Sequence, residues 1–290
     1  MSSDLLRKLS VSAGSFETIA SVFERYGIVV IRDLVDTAEV ARFRAAFLAM
    51  INRFMRLEGR ASEDNDDLDA AYAQFCREAP EAALAMRGLG KDLPEYHRML
   101  VNPRLRSVLL ALFGHDHQQI NFDQCLFRID RPGDAQYAFA WHQDYPYNLM
   151  SMNAVTVWMP LAPVTAEMGP MRVVPGSHRA LLPVTIDRSF ENVGFAKHNT
   201  IRLANLDRLT PGFESDGVDI VGMQAGDVAF FHCLLIHRSG ANRSDRCRWV
   251  FNPRYGDLLD PAVVRRSWVS ARQKSPFVIG EFHPDAVVAT

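Results

Sequence analysis

The stretch Trp141-His142-Gln143-Asp144-Tyr145-Pro146-Tyr147 sets an imidazole and a carboxylate two positions apart. On an extended strand alternate side chains share a face, so His142 and Asp144 would reach one point in space. Together they make two thirds of a facial triad, the arrangement that leaves positions open on ferrous iron. The third ligand must come from a later strand. His237 is the best candidate, because it follows the apolar run Val228-Ala229-Phe230-Phe231 and precedes Arg238-Ser239-Gly240, where a buried strand meets the mouth of a barrel. In a chain with nine histidines HxD alone is a weak signal. The rival cluster His115-Asp116-His117 follows a helix end and falls in a turn, with Asp116 pointing away from its neighbours. It is expected to hold no functional metal.

Two further residues suit a carboxylate ligand beside the metal. Arg248 lies across a turn from His237, on what should be the neighbouring antiparallel strand. Its guanidinium is a rigid fork that never loses its charge. Ser239 shares His237's strand face and offers a hydroxyl to the same carboxylate. Arg246 has Arg248's parity, so parity leaves both arginines open. A metal with a carboxylate clamp is what an oxoacid co-substrate needs, one end chelating and the other held. Tyr145, Tyr147 and Asn148, just past the HxD, would line a substrate mouth, unless the tyrosines simply pack the rim.

The elements that must position these groups follow from periodicity. Phe16, Ile19, Ala20 and Phe23 predict a short helix from Ser15, its N-cap, to Tyr26, with Gly27 ending it and the buried strand Ile28-Val29-Val30-Ile31 next. Asp36 caps a long helix over 37–58, with Val40, Phe43, Ala46, Phe47 and Ile51 inward. The acidic stretch 61–69 reads as a mobile surface loop. Helical patterns return over 68–86 and 102–113, interrupted at Pro80 and at Gly88-Leu89-Gly90. From Gln118 onward the pattern becomes short strands, over 120–129, 137–144, 154–162, 171–175, 227–233 and 248–255, separated by Gly/Pro turns. Residues 181–222 read as an irregular polar segment, long enough to be a lid. The fold expected is mixed α/β but mainly β: a jelly-roll or cupin-like barrel buttressed by helices. It forms one domain, largely helical over 1–116, with the jelly-roll core over 117–256 and an extension over 257–290.

Composition excludes several classes. Hydrophobic residues make up 48% of the chain, ample for a buried core, and a net charge of −2 draws it to neither nucleic acid nor anionic membrane. The four cysteines are too widely spaced for a disulfide framework or a zinc site, and no stretch approaches a membrane span. A cytoplasmic protein with a small-molecule substrate is expected; the sequence leaves its oligomeric state open.

In combination these motifs resemble the phytanoyl-CoA dioxygenase family of iron(II)- and 2-oxoglutarate-dependent oxygenases. The resemblance is carried by Trp141-His142-Gln143-Asp144, by Gly169-Pro170-Met171-Arg172-Val173-Val174-Pro175-Gly176-Ser177-His178, and by Gly226 through His237, Ser239, Asn242-Arg243-Ser244 and Arg248. It covers most of the chain, since Gly27 to Ile31 and the helix after Asp36 also look like the family's opening. It implies a double-stranded β-helix core with His142, Asp144 and His237 as the Fe(II) ligands. It places Arg248, preferred to Arg246 by the family's spacing, and Ser239 on the distal carboxylate of 2-oxoglutarate, with Trp158 and Gln124 beside the co-substrate. His178 belongs to a structural turn. The reaction implied uses O2 to hydroxylate or otherwise oxidise an unactivated C–H, releasing succinate and CO2. An intact Asp144 argues against halogenation. The alternatives are a cupin-type metal-dependent oxygenase without 2-oxoglutarate and a non-catalytic small-molecule-binding jelly roll.

Overall fold

A mostly antiparallel sheet divides the molecule into a helical side and a side that carries a second, smaller sheet. The computed structural model describes residues 2–12, 14–60, 67–120, 125–133, 138–187, 201–268 and 279–288. The helices that precede most of the sheet are α1 (Ser2–Leu9), α2 (Phe16–Tyr26), α3 (Thr37–Leu57), α4 (Leu68–Glu78), α5 (Pro80–Leu89), α6 (Pro94–Leu100) and α7 (Pro103–Phe113). The strands are β1 (Ser10–Val11), β2 (Ile28–Ile31), β3 (Gln118–Ile120), β4 (Leu126–Asp130), β5 (Val155–Pro160), β6 (Met171–Val173), β7 (Val184–Ile186), β8 (Ile201–Leu203), β9 (Val218–Asp219), β10 (Val228–His232), β11 (His237–Ser239), β12 (Arg248–Asn252) and β13 (Arg254–Asp257). Two more helices complete the site region, α8 (Tyr145–Asn148) and α9 (Leu206–Asp216).

The large sheet runs β1-β2-β10-β5-β12-β4, with β13 pairing both β5 and β3; the smaller is β11-β6-β9, and β7 pairs β8. The architecture is mixed α/β. The central strands β2, β5 and β10 are buried on both faces and apolar at nearly every position. Val29, Phe230, Val157, Phe127 and Trp249 point to the helices, while Val30, Phe231, Trp158 and Val250 point to the smaller sheet. On the helical side Phe127 meets Phe43 and Phe47 edge-on, both with ring centroids 4.9 Å apart. Each such pair adds about 0.5–1.5 kcal/mol beyond the area it buries.

Local chemistry sets the helix boundaries. Asp36 caps α3 by accepting from the Ala38 amide, and Asn102 caps α7 at the amides of Arg104 and Leu105. Gly27 closes α2 with φ 72°, a conformation cheap only for glycine. Ser15 stands at the N-cap of α2, but its hydroxyl donates to Thr18 and caps no amide.

Several expectations need correction. The described end of the acidic 61–69 stretch is ordered: Asp67 caps α4, Leu68 is buried, and Asp69 accepts from the Cys247 amide at 2.9 Å and the Trp249 indole at 2.9 Å. Those partners lie far along the chain, so composition could not reveal them. The expected strand over 248–255 is two, because Pro253 has no N–H to give a ladder and separates β12 from β13. The expected strand over 120–129 also divides, with β3 pairing β13 and β4 pairing β12. No regular strand spans the described part of 137–144. His142 makes only an isolated bridge to His237. The expected irregular segment 181–222 holds β7, β8, α9 and β9; helix α6 is a further element that its short pattern hid. Among the described residues no helix is long and apolar enough to cross a membrane.

Candidate metal centre

The reciprocal bridge between residues 142 and 237 builds the site. The His142 amide donates to the His237 carbonyl at 2.9 Å and the His237 amide returns a bond at 3.0 Å. This close backbone pairing sets the two imidazoles side by side, with centroids 4.2 Å apart. Asp144 arrives by a different route from the strand alternation expected of it. Its backbone is helical, φ −71° and ψ −32°, and it opens α8, whose Tyr147 and Asn148 amides donate to its carbonyl. A turn, not a strand, swings the carboxylate back. Gln143, between the ligands, locks that turn: its amide group donates to the Ala180 and Leu234 carbonyls, and its oxygen accepts from the Leu182 amide.

The three side chains converge. His142 Nε2 lies 3.7 Å and His237 Nε2 3.8 Å from the same Asp144 oxygen, and one ligand atom from each residue falls within 4.8 Å of the others. The opposite ring nitrogens are committed, with His142 Nδ1 2.8 Å from the Ala140 carbonyl and His237 Nδ1 2.9 Å from the Leu235 carbonyl. A carbonyl only accepts, so each proton is assigned to Nδ1 and each Nε2 turns a lone pair inward, as metal-ligating imidazoles require. Burial, then the neighbouring His142, lowers the His237 pKa to about 3, which keeps its ring neutral. Burial alone would raise the Asp144 carboxyl, but Arg254 first and then the two histidines outweigh it and hold the group well below the usual carboxylate range. Two inward-facing imidazole nitrogens and an ionised carboxylate fit a divalent iron. Among the described residues this is the one cluster that could hold a metal.

The partners that support Asp144 carry no local sequence signal. Thr156 donates its hydroxyl to Asp144 Oδ2 at 2.7 Å, and Arg254 reaches the same oxygen through Nε at 3.1 Å. They sit opposite each other in the β5–β13 register, so only strand pairing brings them to the ligand together.

The cavity beside the triad lies between the two sheets. It is lined by Arg128, Phe139, Trp158, Met171, Phe231, Ser239, Asn252 and Arg254 along with the triad itself. Trp158 and Ser239 therefore face the same cavity as the triad. Arg248 is not in this lining: it is buried, and its Nε and Nη2 donate to Asp130 Oδ2 at 2.9 and 2.7 Å while Nη1 donates to the Met168 carbonyl at 2.9 Å. Arg128, which the sequence reading passed over, faces the cavity and donates to Ser239 Oγ at 3.1 Å. Arg246 is half-exposed and pairs with Asp67 and Asp69, which removes it from the site. None of the three expected mouth residues lines this cavity. Tyr145 is buried with its hydroxyl 2.7 Å from His283, Asn148 is buried, and neither lines the cavity. Tyr147 lays its ring beside His142 at 5.8 Å and donates to the Ile201 carbonyl at 2.6 Å. These inward turns come from α8, which replaces the open loop expected. Gln124 falls outside the described residues. In the rival cluster His115 and His117 lie side by side, but His115 pairs with Asp257 and Asp116 with Arg106, so the three do not form a metal site.

The family profile described as phytanoyl-CoA dioxygenase (PhyH) matches residues 23–250. A probable phytanoyl-CoA dioxygenase of Caenorhabditis elegans is 25% identical over 242 residues, 81% of this chain and 73% of the relative. An ectoine dioxygenase of Sphingopyxis alaskensis is 25% identical over 273 residues, 89% of this chain and 83% of the relative. Among solved structures, the epimerase SnoN in complex with Fe3+, alpha ketoglutarate and nogalamycin RO superposes with a TM-score of 0.55 at 24% identity, over 83% of each chain. The apoform of EctD from S. alaskensis gives 0.56 at 19% identity, over 86% of this chain and 79% of the other.

Proposed function

The chain belongs to the phytanoyl-CoA dioxygenase family, and we propose that it is an iron(II)- and 2-oxoglutarate-dependent oxygenase acting on an unactivated C–H bond of a small-molecule metabolite. The observation that carries this reading is the convergence of His142 Nε2, His237 Nε2 and an ionised Asp144 on one point, with both Nδ1 atoms tied to carbonyls. In this reading the two sheets form a double-stranded β-helix, or jelly roll. The continuous core shared by α2–α7 and the large sheet supports one domain over 1–290. The four cysteines are unpaired, in keeping with a cytoplasmic enzyme.

His142, Asp144 and His237 would hold the iron, which when bound supplies the oxidising chemistry together with O2 and 2-oxoglutarate. The chain's own groups do the rest. Nδ1 contacts orient both imidazoles, and Thr156 and Arg254 aim the carboxylate. Ser239 and Trp158 sit beside the co-substrate, and the Arg128–Asp130–Arg248 cluster provides its carboxylate seat. Phe139, Met171 and Phe231 keep the cavity dry. Tyr147 packs its ring beside the His142 imidazole and so helps to hold that ligand in place.

Anaerobic titration of Fe(II)-loaded protein with 2-oxoglutarate tests the proposal. A weak visible charge-transfer band is expected in the wild type, and it should be lost in His237→Ala. Bound iron without a band would sink the 2-oxoglutarate assignment. A metal-dependent oxygenase without an oxoacid would then lead, a reading favoured by one observation: Arg248 spends its fork on Asp130 and Met168.

A further inference from the structure

A second cavity, of about 470 Å3, lies beside α3 and shares no lining residue with the metal cavity. Thr37, Val40, Ala41 and Arg44 follow one another at helical spacing, so one face of α3 supplies them all. Leu161, Pro163, Met168 and Ala225 add an apolar lining from the segments after β5 and before β10. The volume is that of an ordinary small-molecule pocket.

Arg44 is the group in this cavity that lacks a counter-ion. Its side chain is half-buried, and burial is the largest influence on its pKa, lowering it because the charge is taken out of water. A guanidinium keeps its charge all the same. Charges removed from water are normally paired. Among the described residues Arg44 forms no ion pair, and its one hydrogen bond runs from Nη1 to the Leu161 carbonyl at 3.3 Å. Most of its donors are unspent.

Asp69, the aspartate that also borders the cavity, is engaged elsewhere. One of its oxygens accepts from Arg246, through Nε at 3.0 Å and Nη2 at 2.7 Å. The other accepts from the Cys247 amide and the Trp249 indole. A carboxylate shared among these donors has little left with which to hold Arg44 or to turn a ligand anion away.

We propose that this cavity is a second ligand site, in which the Arg44 fork binds the carboxylate of a small organic acid and the apolar lining takes its hydrocarbon body. A guanidinium matches a planar carboxylate with two parallel N–H···O bonds. Val40, Leu161 and Met168 offer hydrocarbon or thioether surface, so a compact anion such as inorganic phosphate gains only the arginine. The site stands apart from the metal chemistry, and the acid it holds is neither chelated nor oxidised there.

The test is calorimetric titration of Mn(II)-loaded protein, without oxygen, with hexanoate, hexanamide, acetate and inorganic phosphate. Hexanoate should bind wild type and His237→Ala alike, since the metal takes no part. Arg44→Gln should weaken it by about 10–100-fold, the worth of hydrogen bonds to a charged group. Arg44→Lys, which keeps the charge and loses the fork, should recover part of that loss. Hexanamide should bind less tightly than hexanoate and be nearly indifferent to Arg44→Gln. Acetate, which lacks the methylenes that the lining would bury, should bind roughly 100-fold more weakly. Arg44→Gln gives up one long hydrogen bond, so its urea-unfolding midpoint should match wild type. Should it unfold instead, Ala162→Leu decides: it enlarges a lining residue, leaves Arg44 in place, and should weaken hexanoate. Hexanoate bound equally by wild type and by Arg44→Gln or Ala162→Leu would overturn the proposal. So would hexanamide bound as tightly as hexanoate, phosphate preferred to hexanoate, binding lost in His237→Ala, or no binding of hexanoate by wild type.

Discussion

Replacing Arg254 by methionine isolates what supports the metal-binding carboxylate. Asp144 is 3% exposed and has few ways to keep its charge: Thr156 at 2.7 Å, and Arg254 at 3.1 Å through Nε and 3.4 Å through Nη2. The longer contact is at the limit of a hydrogen bond, so the arginine amounts to one good charge-assisted bond, about 1.5–3 kcal/mol. Methionine fills similar volume without charge. Its effect on metal affinity should be about 10–100-fold, the usual cost of losing a group that supports a ligand. The pH dependence has a definite sign. Asp144's pKa is depressed in the folded protein, so the ionised ligand persists above the ordinary carboxylate value and is lost as pH falls through the folded one. With Arg254 gone, burial acts with less opposition, the pKa rises, and metal release begins at a higher pH. Free Mn(II) counted by electron paramagnetic resonance across pH 5–8 measures this directly. Equal Mn(II) affinity in variant and wild type at every pH would refute the reasoning.

Other consequences are equally concrete. Burial lowers the His232 pKa to about 4. Between about 4 and the ordinary 6.5 the unfolded chain therefore holds the extra proton, and metal-free stability should rise with pH across that window, by about 3 kcal/mol from this residue. His232→Phe should flatten the slope in urea unfolding, leaving a residue from His237, whose pKa is lowered in the same direction; an unchanged slope would show that His232 is not buried neutral. Asp69→Ala strands the Trp249 indole and the Cys247 amide, and should cost about 2–4 kcal/mol in urea unfolding, whereas an unmoved midpoint would mean the contact is not formed. Glu214 accepts from the Trp141 indole and pairs with Arg172 and Arg238, so Glu214→Gln should loosen α9 by about 1 kcal/mol, the exposed setting limiting the effect. Faster amide exchange across α9 is the signature to look for, and exchange identical to wild type would show that these Glu214 contacts do not hold the helix.

What could be read from the chain alone were features written in neighbouring residues. Periodicity placed α2, β2, α3 and α7, and Asp36 and Gly27 marked the start of α3 and the end of α2, because these features act within a turn of the residues they order. Residue chemistry singled out His142, Asp144 and His237, since two imidazoles and a carboxylate have few other reasons to recur in that order. Yet the strand geometry first used to join His142 to Asp144 was wrong, and the ligands meet anyway. The meeting is made by the backbone bridge between residues 142 and 237 and by the helical turn at Asp144.

The tertiary structure alone decided the charges around that triad. Arg248 had the spacing of a carboxylate clamp, but the β4–β12 register puts Asp130 opposite it. Arg254 and Thr156 became the supports of Asp144 through the β5–β13 pairing. Asp69 likewise passed from a polar connector to a partly buried anchor because Trp249 is folded against it. The physical reason is common to all three. Identity and local spacing travel with the sequence, whereas the electrostatic value of a buried group depends on what long-range pairing places within about 4 Å of it, where a low dielectric lets one neighbour reverse its role.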